Sequence, residues 1–335
     1  MAIWLLTVCG LIWAMVAIGG ATRLTGSGLS IMEWAPLSGI LPPMSDAEWQ
    51  RLYDLYRTVP QYALVNAGFG MEGFQRIFWL EWIHRFWGRM LGFAFAVPML
   101  VFWVRGHLPR GLLPRLLLLL VLGGLQGGVG WFMVASGFQA DRTSVSPYRL
   151  VLHLGLALVL FAFVFWTALD LLRPERTAPA TAAPLRRLVH ATAGLVVLTM
   201  LAGGFVAGLR AGLDFNTWPL MEGRLVPPGY LADGWHSMTH DIATVQFHHR
   251  LLATLAGFAA LAATWTGLRT LAPGFARTAL LALGVAVTVQ YALGIATLLH
   301  AVPVGLGTLH QAVAVAVLAA VLAAMHGLRR GRVAT

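Results

Sequence analysis

Eight apolar runs, each close to the roughly 20 residues a helix needs to cross a bilayer, occupy most of this 335-residue chain. They fall at roughly 2–22, 79–104, 114–136, 149–172, 187–208, 246–268, 277–299 and 305–328, to within a few residues at each end. Hydrocarbon offers no partner for a backbone N–H or C=O, so each run must close its hydrogen bonds on itself as a helix. Charged residues are 11% of the chain, less than half the about 25% of a soluble protein. The expected fold is therefore an all-α polytopic membrane protein with eight transmembrane helices.

The formal charge of +10 is carried by 23 basic residues, all of them Arg, and their placement follows alternate connections. One set holds Arg105, Arg110 and Arg115; Arg173, Arg176, Arg186 and Arg187; Arg269 and Arg277; and Arg329, Arg330 and Arg332, with Asp170 and Glu175 as the acids among them. The other set mixes both signs. The positive-inside rule makes the Arg-rich set and both termini cytoplasmic, so the charge is a topology signal and predicts no nucleic-acid partner. Cys9, the single cysteine, lies inside the first apolar run and permits no intrachain disulfide. The N-terminal run lacks a charged leader and is longer than a signal-peptide core, which predicts a retained span in a bacterial inner membrane.

Two connections on the mixed-charge side are long, about 23–78 and 209–245. The first contains an amphipathic helix, Asp46 to Arg57, with Ser45 as its cap and Glu48 three residues on. Its stripe of Trp49, Leu52, Tyr53 and Tyr56 suits a helix lying on the membrane or covering the bundle mouth.

The chain repeats internally. Gly19-Gly20 recurs as Gly203-Gly204, and Leu41-Pro42-Pro43 as Val226-Pro227-Pro228. His84-Arg85 with Gly92-Phe93 recurs as His249-Arg250 with Gly257-Phe258; Leu125-Gln126 with Gly130 as Val289-Gln290 with Gly294; Leu152-His153 as Leu309-His310. Five recurrences in one order, with four spans per half, predict a parallel repeat of two four-helix bundles: residues 1–172 and 187–335, joined by a cytoplasmic linker at 173–186.

Of 11 histidines, His84, His153, His249 and His310 each stand near the outer start of an even-numbered span, two per repeat and at one expected depth. His107, His190, His236, His240, His300 and His326 read as solvated or interfacial, and His248 is left open. Two imidazoles make a poor site for a bare metal ion, because no Cys, Asp or Glu completes the second pair. Heme iron already has four porphyrin nitrogens and takes two axial ligands, so one bis-histidine heme per bundle is the economical expectation. Gly88, Gly92, Gly127, Gly128, Gly130, Gly257 and Gly294 would let a flat macrocycle approach the backbone. Arg85 and Arg250 suit heme propionates or, equally, lipid phosphate reached by snorkelling.

The halves differ at one place. Glu81 stands three residues before His84, where the second half has Gln246 before His249. A carboxylate there can take a proton or stabilise a developing cation; it can also simply pair with Arg85 or Arg89.

Several stretches resemble one family, the heme A synthases of cytochrome oxidase assembly. They are Gly19-Gly20-Ala21-Thr22-Arg23-Leu24-Thr25 with Ser27-Gly28-Leu29-Ser30; Pro60-Gln61-Tyr62 with Asn66; and Phe78-Trp79-Leu80-Glu81-Trp82-Ile83-His84-Arg85 with Gly88-Arg89. In the second half they are Asp214-Phe215-Asn216-Thr217-Trp218-Pro219-Leu220-Met221 and Gln246-Phe247-His248-His249-Arg250. The resemblance spans essentially the whole chain. It implies oxidation of a methyl substituent of heme O to a formyl group, by successive hydroxylations and loss of water. It further implies that His249 and His310 ligate a heme b cofactor, with Arg250 beside it. His84 and His153, with Arg85, would bracket the substrate heme, and Glu81 would be the catalytic carboxylate. Implied partners are heme O synthase, oxidase assembly factors and an electron-transfer partner. Some members carry a cysteine pair in an outer loop; this chain resembles the cysteine-free subgroup of alphaproteobacterial and mitochondrial members. The alternatives are a di-heme cytochrome b that only transfers electrons, which has no use for the Glu81–Gln246 difference, and a transporter, which would bind no heme.

Overall fold

The structure is a computed structural model that describes every residue except 37, 110, 140, 141, 176, 177, 179 and 331–335. Arg110, Arg176 and Arg332, three of the topology-marking arginines, thus lie outside the described residues. Among the described residues the regular structure is helical, with no strand. The helices are α1 (Ala2–Leu24), α2 (Asp46–Tyr56), α3 (Pro60–Leu64), α4 (Met71–Val104), α5 (Leu113–Ala135), α6 (Pro147–Leu172), α7 (Ala183–Gly208), α8 (Ser237–His240), α9 (Ile242–Thr270), α10 (Phe275–Leu299) and α11 (Val304–Gly327). All but α2, α3 and α8 are long and apolar enough to cross a membrane, which makes eight spans, as expected.

The largest departure from the expected boundaries is at α4, which begins at Met71 rather than near 79. Its 34 residues reach about 51 Å at 1.5 Å per residue, well beyond the about 30 Å of a hydrocarbon core. The extra turns are held by a small core of their own. Phe74, Ile77 and Phe78 pack with Leu52, Tyr56 and Val59; Tyr56 stacks on Phe74 at 5.4 Å and Trp49 meets Phe78 edge-on at 4.8 Å. Glu72 and Arg76 pair along the exposed side. The amphipathic helix α2 therefore uses its apolar stripe on α4. It starts where Ser45 Oγ accepts the Glu48 N–H at 3.3 Å.

The chain divides into two compact units: Thr7–Leu160, and Met1–Leu6 with Phe161–Thr335. In the unit that begins at Thr7, α4 packs on α5 and, through its first turns, on α2. Both helices expose apolar side chains, among them Phe93, Val97, Leu100, Leu117, Leu118 and Val121, as lipid contact requires. In the other unit α7, α9, α10 and α11 form a ring, each packed on two neighbours. Gly267 lies against Leu280, and Gly284 against Thr264, whose hydroxyl donates to the Leu280 carbonyl at 2.7 Å. Small residues at such a seam let apolar helices approach in the absence of a hydrophobic drive.

His326 corrects the sequence expectation of an interfacial residue. It is only 2% exposed. Its Nε2 meets Asp170 Oδ1 at 3.1 Å, Arg329 donates to the same oxygen at 2.6 Å, and Trp166 covers the ring edge-on at 5.1 Å. The partner is 156 positions away, so no local pattern could reveal it.

Candidate functional site

Glu81 is among the most deeply buried polar side chains, 2% exposed, yet its carboxylate is fully engaged. Oε2 accepts the Ser30 N–H at 2.7 Å, the Ser30 hydroxyl at 2.7 Å and the Ile31 N–H at 2.9 Å. Oε1 accepts Arg85 Nε at 3.0 Å and Nη2 at 2.6 Å. The i, i+4 spacing on α4 brings Arg85 to Glu81. Arg85 then reaches on to the Ile31 and Glu33 carbonyls at 2.6 and 2.8 Å. Glu81 is thus the point at which the loop after α1 closes on α4. Gln61, buried at the start of α3, supports the same loop by donating to the Gly26 carbonyl at 3.0 Å.

The other unit uses the same plan with inverted polarity. Gln246 is also 2% exposed, and its Oε1 accepts Arg250 Nη2 at 2.7 Å. Its Nε2, however, donates to the Ala211 and Asp214 carbonyls, both at 2.6 Å. Arg250 reaches on to the Phe215 and Thr217 carbonyls at 2.6 and 2.9 Å, the same two-residue step that Arg85 takes. One loop presents N–H groups, which an anion satisfies; the other presents carbonyls, which only a donor satisfies. The backbone of each loop therefore matches Glu in one unit and Gln in the other.

His84 on α4 and His153 on α6 lie within electrostatic reach of each other, as do His249 on α9 and His310 on α11. All four residues are half-buried. His249 Nδ1 lies 3.1 Å from the Thr199 carbonyl; a proton there leaves Nε2 as the free lone pair. Gln126 Nε2 donates to the His153 carbonyl at 3.0 Å and lies 3.2 Å from its Nδ1. His248 instead meets the Tyr230 hydroxyl at 3.2 Å. His190 turns Nδ1 to the Arg186 carbonyl, while His236 and His240 stack on one another in the loop before α9.

No group of three or more His, Cys, Asp or Glu suited to a metal ion occurs among the described residues. A heme, which needs two imidazoles and room for a plane, fits better. Gly92, Gly127 and Gly128 have nothing within 4 Å of where a Cβ would stand, whereas Gly88 meets Met15 and Gly257 meets Tyr291. Trp82 Nε1, Arg89 Nη1 and Arg250 Nε are buried without a hydrogen-bond partner. All three are donors close in sequence to His84 or His249, and carboxylates, such as those of heme propionates, would satisfy them. Sequence reasoning named the histidines, Glu81 and the arginines. It missed Ser30 and Ile31 as the donors to Glu81, although Ser27-Gly28-Leu29-Ser30 marked their loop.

The chain matches the family described as cytochrome oxidase assembly protein over residues 2–322. It is 57% identical to a heme A synthase of Granulibacter bethesdensis, over 100% of this chain and 89% of that protein. Heme A synthases of Paramagnetospirillum magneticum and Caulobacter vibrioides are each 45% identical over 98% of this chain and 94% and 96% of their own lengths. No solved structure matches.

Proposed function

The chain belongs to the cytochrome oxidase assembly protein family, and from that premise we infer its reaction: it oxidises a methyl group of heme O to a formyl group, producing heme A for terminal oxidases. It is a multi-pass bacterial inner membrane protein with eight spans. The distribution of arginines supports cytoplasmic termini, which would put the histidines near the periplasmic side.

We assign the two halves different tasks. His84 and His153 bracket the substrate heme, while His249 and His310 ligate a resident heme b. Heme b would supply one-electron transfer. The observation that carries the division is the contrast between Glu81, held by N–H donors, and Gln246, held by carbonyls. A scaffold built twice for electron transfer alone gives no reason for that contrast. Glu81, one turn from His84, faces charge that develops on the substrate. Of its five donors, two are backbone N–H groups and two belong to Arg85, which is itself anchored on the Ile31 and Glu33 carbonyls. The Ser30 hydroxyl has a second acceptor within reach, the Ile77 carbonyl at 3.4 Å, and its turning there would let the carboxylate address the substrate. Arg85 and Arg250 clamp the loops, and Arg250 Nε remains available to a propionate. The isoprenoid tail of the substrate lies along the exposed apolar faces of α4 and α5. Heme O synthase as donor, oxidase assembly factors as acceptors and a separate electron-transfer partner complete the proposed setting.

Extraction and chromatography of the bound hemes from wild type and Glu81→Gln, side by side, tests this. The variant should keep heme b and accumulate heme O without heme A. Heme A production at the wild-type rate would remove Glu81 from the chemistry.

A further inference from the structure

Each of the four axial histidines rests on a glycine of the membrane span that precedes its own: α1 for His84, α5 for His153, α7 for His249 and α10 for His310. A Cβ built on Gly19 would stand 3.0 Å from His84 Nε2, and one on Gly130 2.9 Å from His153 Cε1. On Gly203 it would stand 3.0 Å from His249 Cε1, and on Gly294 3.0 Å from His310 Cε1. In the last three the next atom is Nδ1, at 3.4, 3.4 and 3.6 Å. His84 shows Nε2 and Cδ2 there, the arrangement that a half-turn of the ring interconverts with the other three.

The contact has a polar consequence. In a helix the N–H of residue i bonds the carbonyl of residue i−4, so the carbonyls beside these glycines belong to Met15, Gln126, Thr199 and Gln290. Where the glycine has no side chain, such a carbonyl is open to a second donor. Thr199 O takes one, His249 Nδ1 at 3.1 Å. His310 Nδ1 is buried without a hydrogen-bond partner, and it lies at Gly294, 3.6 Å from where a Cβ would stand, on the helix turn that carries the Gln290 carbonyl.

We propose that Gly19, Gly130, Gly203 and Gly294 are positioning residues: each seats an axial imidazole against the helix backbone, and in the second half Gly203 and Gly294 expose the Thr199 and Gln290 carbonyls to the Nδ1–H of His249 and His310. That bond selects the tautomer with Nε2 free for iron and makes the imidazole a stronger electron donor. The proposal rests on the heme assignment above; it gives Gly19 and Gly203 a task, and for Gly130 and Gly294 it replaces clearance for a macrocycle with contact to a histidine ring.

The test uses the purified full-length protein. Gly203→Ala and Gly294→Ala are compared with Gly194→Ala, a control on α7 where a Cβ meets nothing within 4 Å. Readouts are heme b content, midpoint potential and the low-spin electron paramagnetic resonance g-values. Displacing the ring from its carbonyl weakens the donor, so Gly203→Ala and Gly294→Ala should raise the potential and move the g-values, with Gly194→Ala unchanged. Gly19→Ala and Gly130→Ala should leave the heme b potential as in wild type and weaken binding of heme O titrated into the protein. Alanine favours a helix more than glycine does, so a purely structural role predicts no such division between the two pairs. Wild-type heme b with unshifted Gly203→Ala and Gly294→Ala overturns this inference alone. A wild-type protein without heme b overturns the heme assignment and this inference with it. If Gly203→Ala does not accumulate, Gly294→Ala carries the same test.

Discussion

Placing a carboxylate where the second unit holds an amide should open its loop. In Gln246→Glu the two bonds from Nε2 to the Ala211 and Asp214 carbonyls, each 2.6 Å, lose their donor, and an anion faces two carbonyl oxygens. A buried polar group left without a partner costs about 1–3 kcal/mol; the Asp214 carbonyl is so left, whereas the Ala211 carbonyl keeps the Asp214 N–H at 3.3 Å, and with both carbonyls facing the new anion the loss is about 2–4 kcal/mol. The bond from Arg250 Nη2 at 2.7 Å survives and becomes charge-assisted, which returns about 1 kcal/mol. The net loss of about 2 kcal/mol corresponds to roughly a thirtyfold fall in the closed-to-open ratio of the loop. Protonation lets the introduced carboxyl donate to one of the two carbonyls. The penalty is therefore present at neutral pH and is relieved as pH falls. Hydrogen exchange across 209–241 measures it: protection should drop at pH 7 and return in part in acid. Wild-type protection at pH 7 would refute the idea that loop polarity dictates Gln at this position.

His249→Ala and His310→Ala should each abolish the low-spin heme b spectrum, whereas His84→Ala and His153→Ala should keep it and block heme A formation; optical spectra and heme chromatography distinguish the two classes. Phe74→Ala removes a fully buried ring from the core between α2 and α4 and should cost about 3–5 kcal/mol, read as faster proteolysis within 38–70. Arg51 donates to both Glu33 and Glu48 and holds both carboxyls below the usual carboxylate range. Their contribution is thus complete above an unfolded value of about 4.3 and fades as pH falls through the lower folded values. The effect is small because the groups are exposed. Acid titration of proteolytic protection at α2 should show it in wild type and not in Arg51→Ala.

What could be read locally was read correctly. Eight spans follow from run length, because the bilayer admits little else, and the Ser45 cap follows from a three-residue spacing. The start of α4 was not legible in this way. Met71 to Phe78 is too polar to register as a span, and its helix is stabilised by side chains from α2, some 20 positions earlier. His326 was misjudged for the same reason. Its burial depends on Asp170 and Trp166, and nothing in its own neighbourhood names them.

The feature shared by all four histidine positions shows the division most clearly. From sequence alone came the repeat, the matched histidines and the single difference between Glu81 and Gln246, since periodicity and residue type survive in one dimension. That Glu81 meets N–H groups while Gln246 meets carbonyls was decided by the fold of two loops whose contacting atoms lie 32 to 51 residues from those side chains. Gly19-Gly20 and Gly203-Gly204 were visible as recurrences, but only the packed helices show an imidazole resting on the first glycine of each pair. Hydrogen-bond polarity and close approach are properties of atoms brought together from distant positions, and that information exists only once the chain has folded.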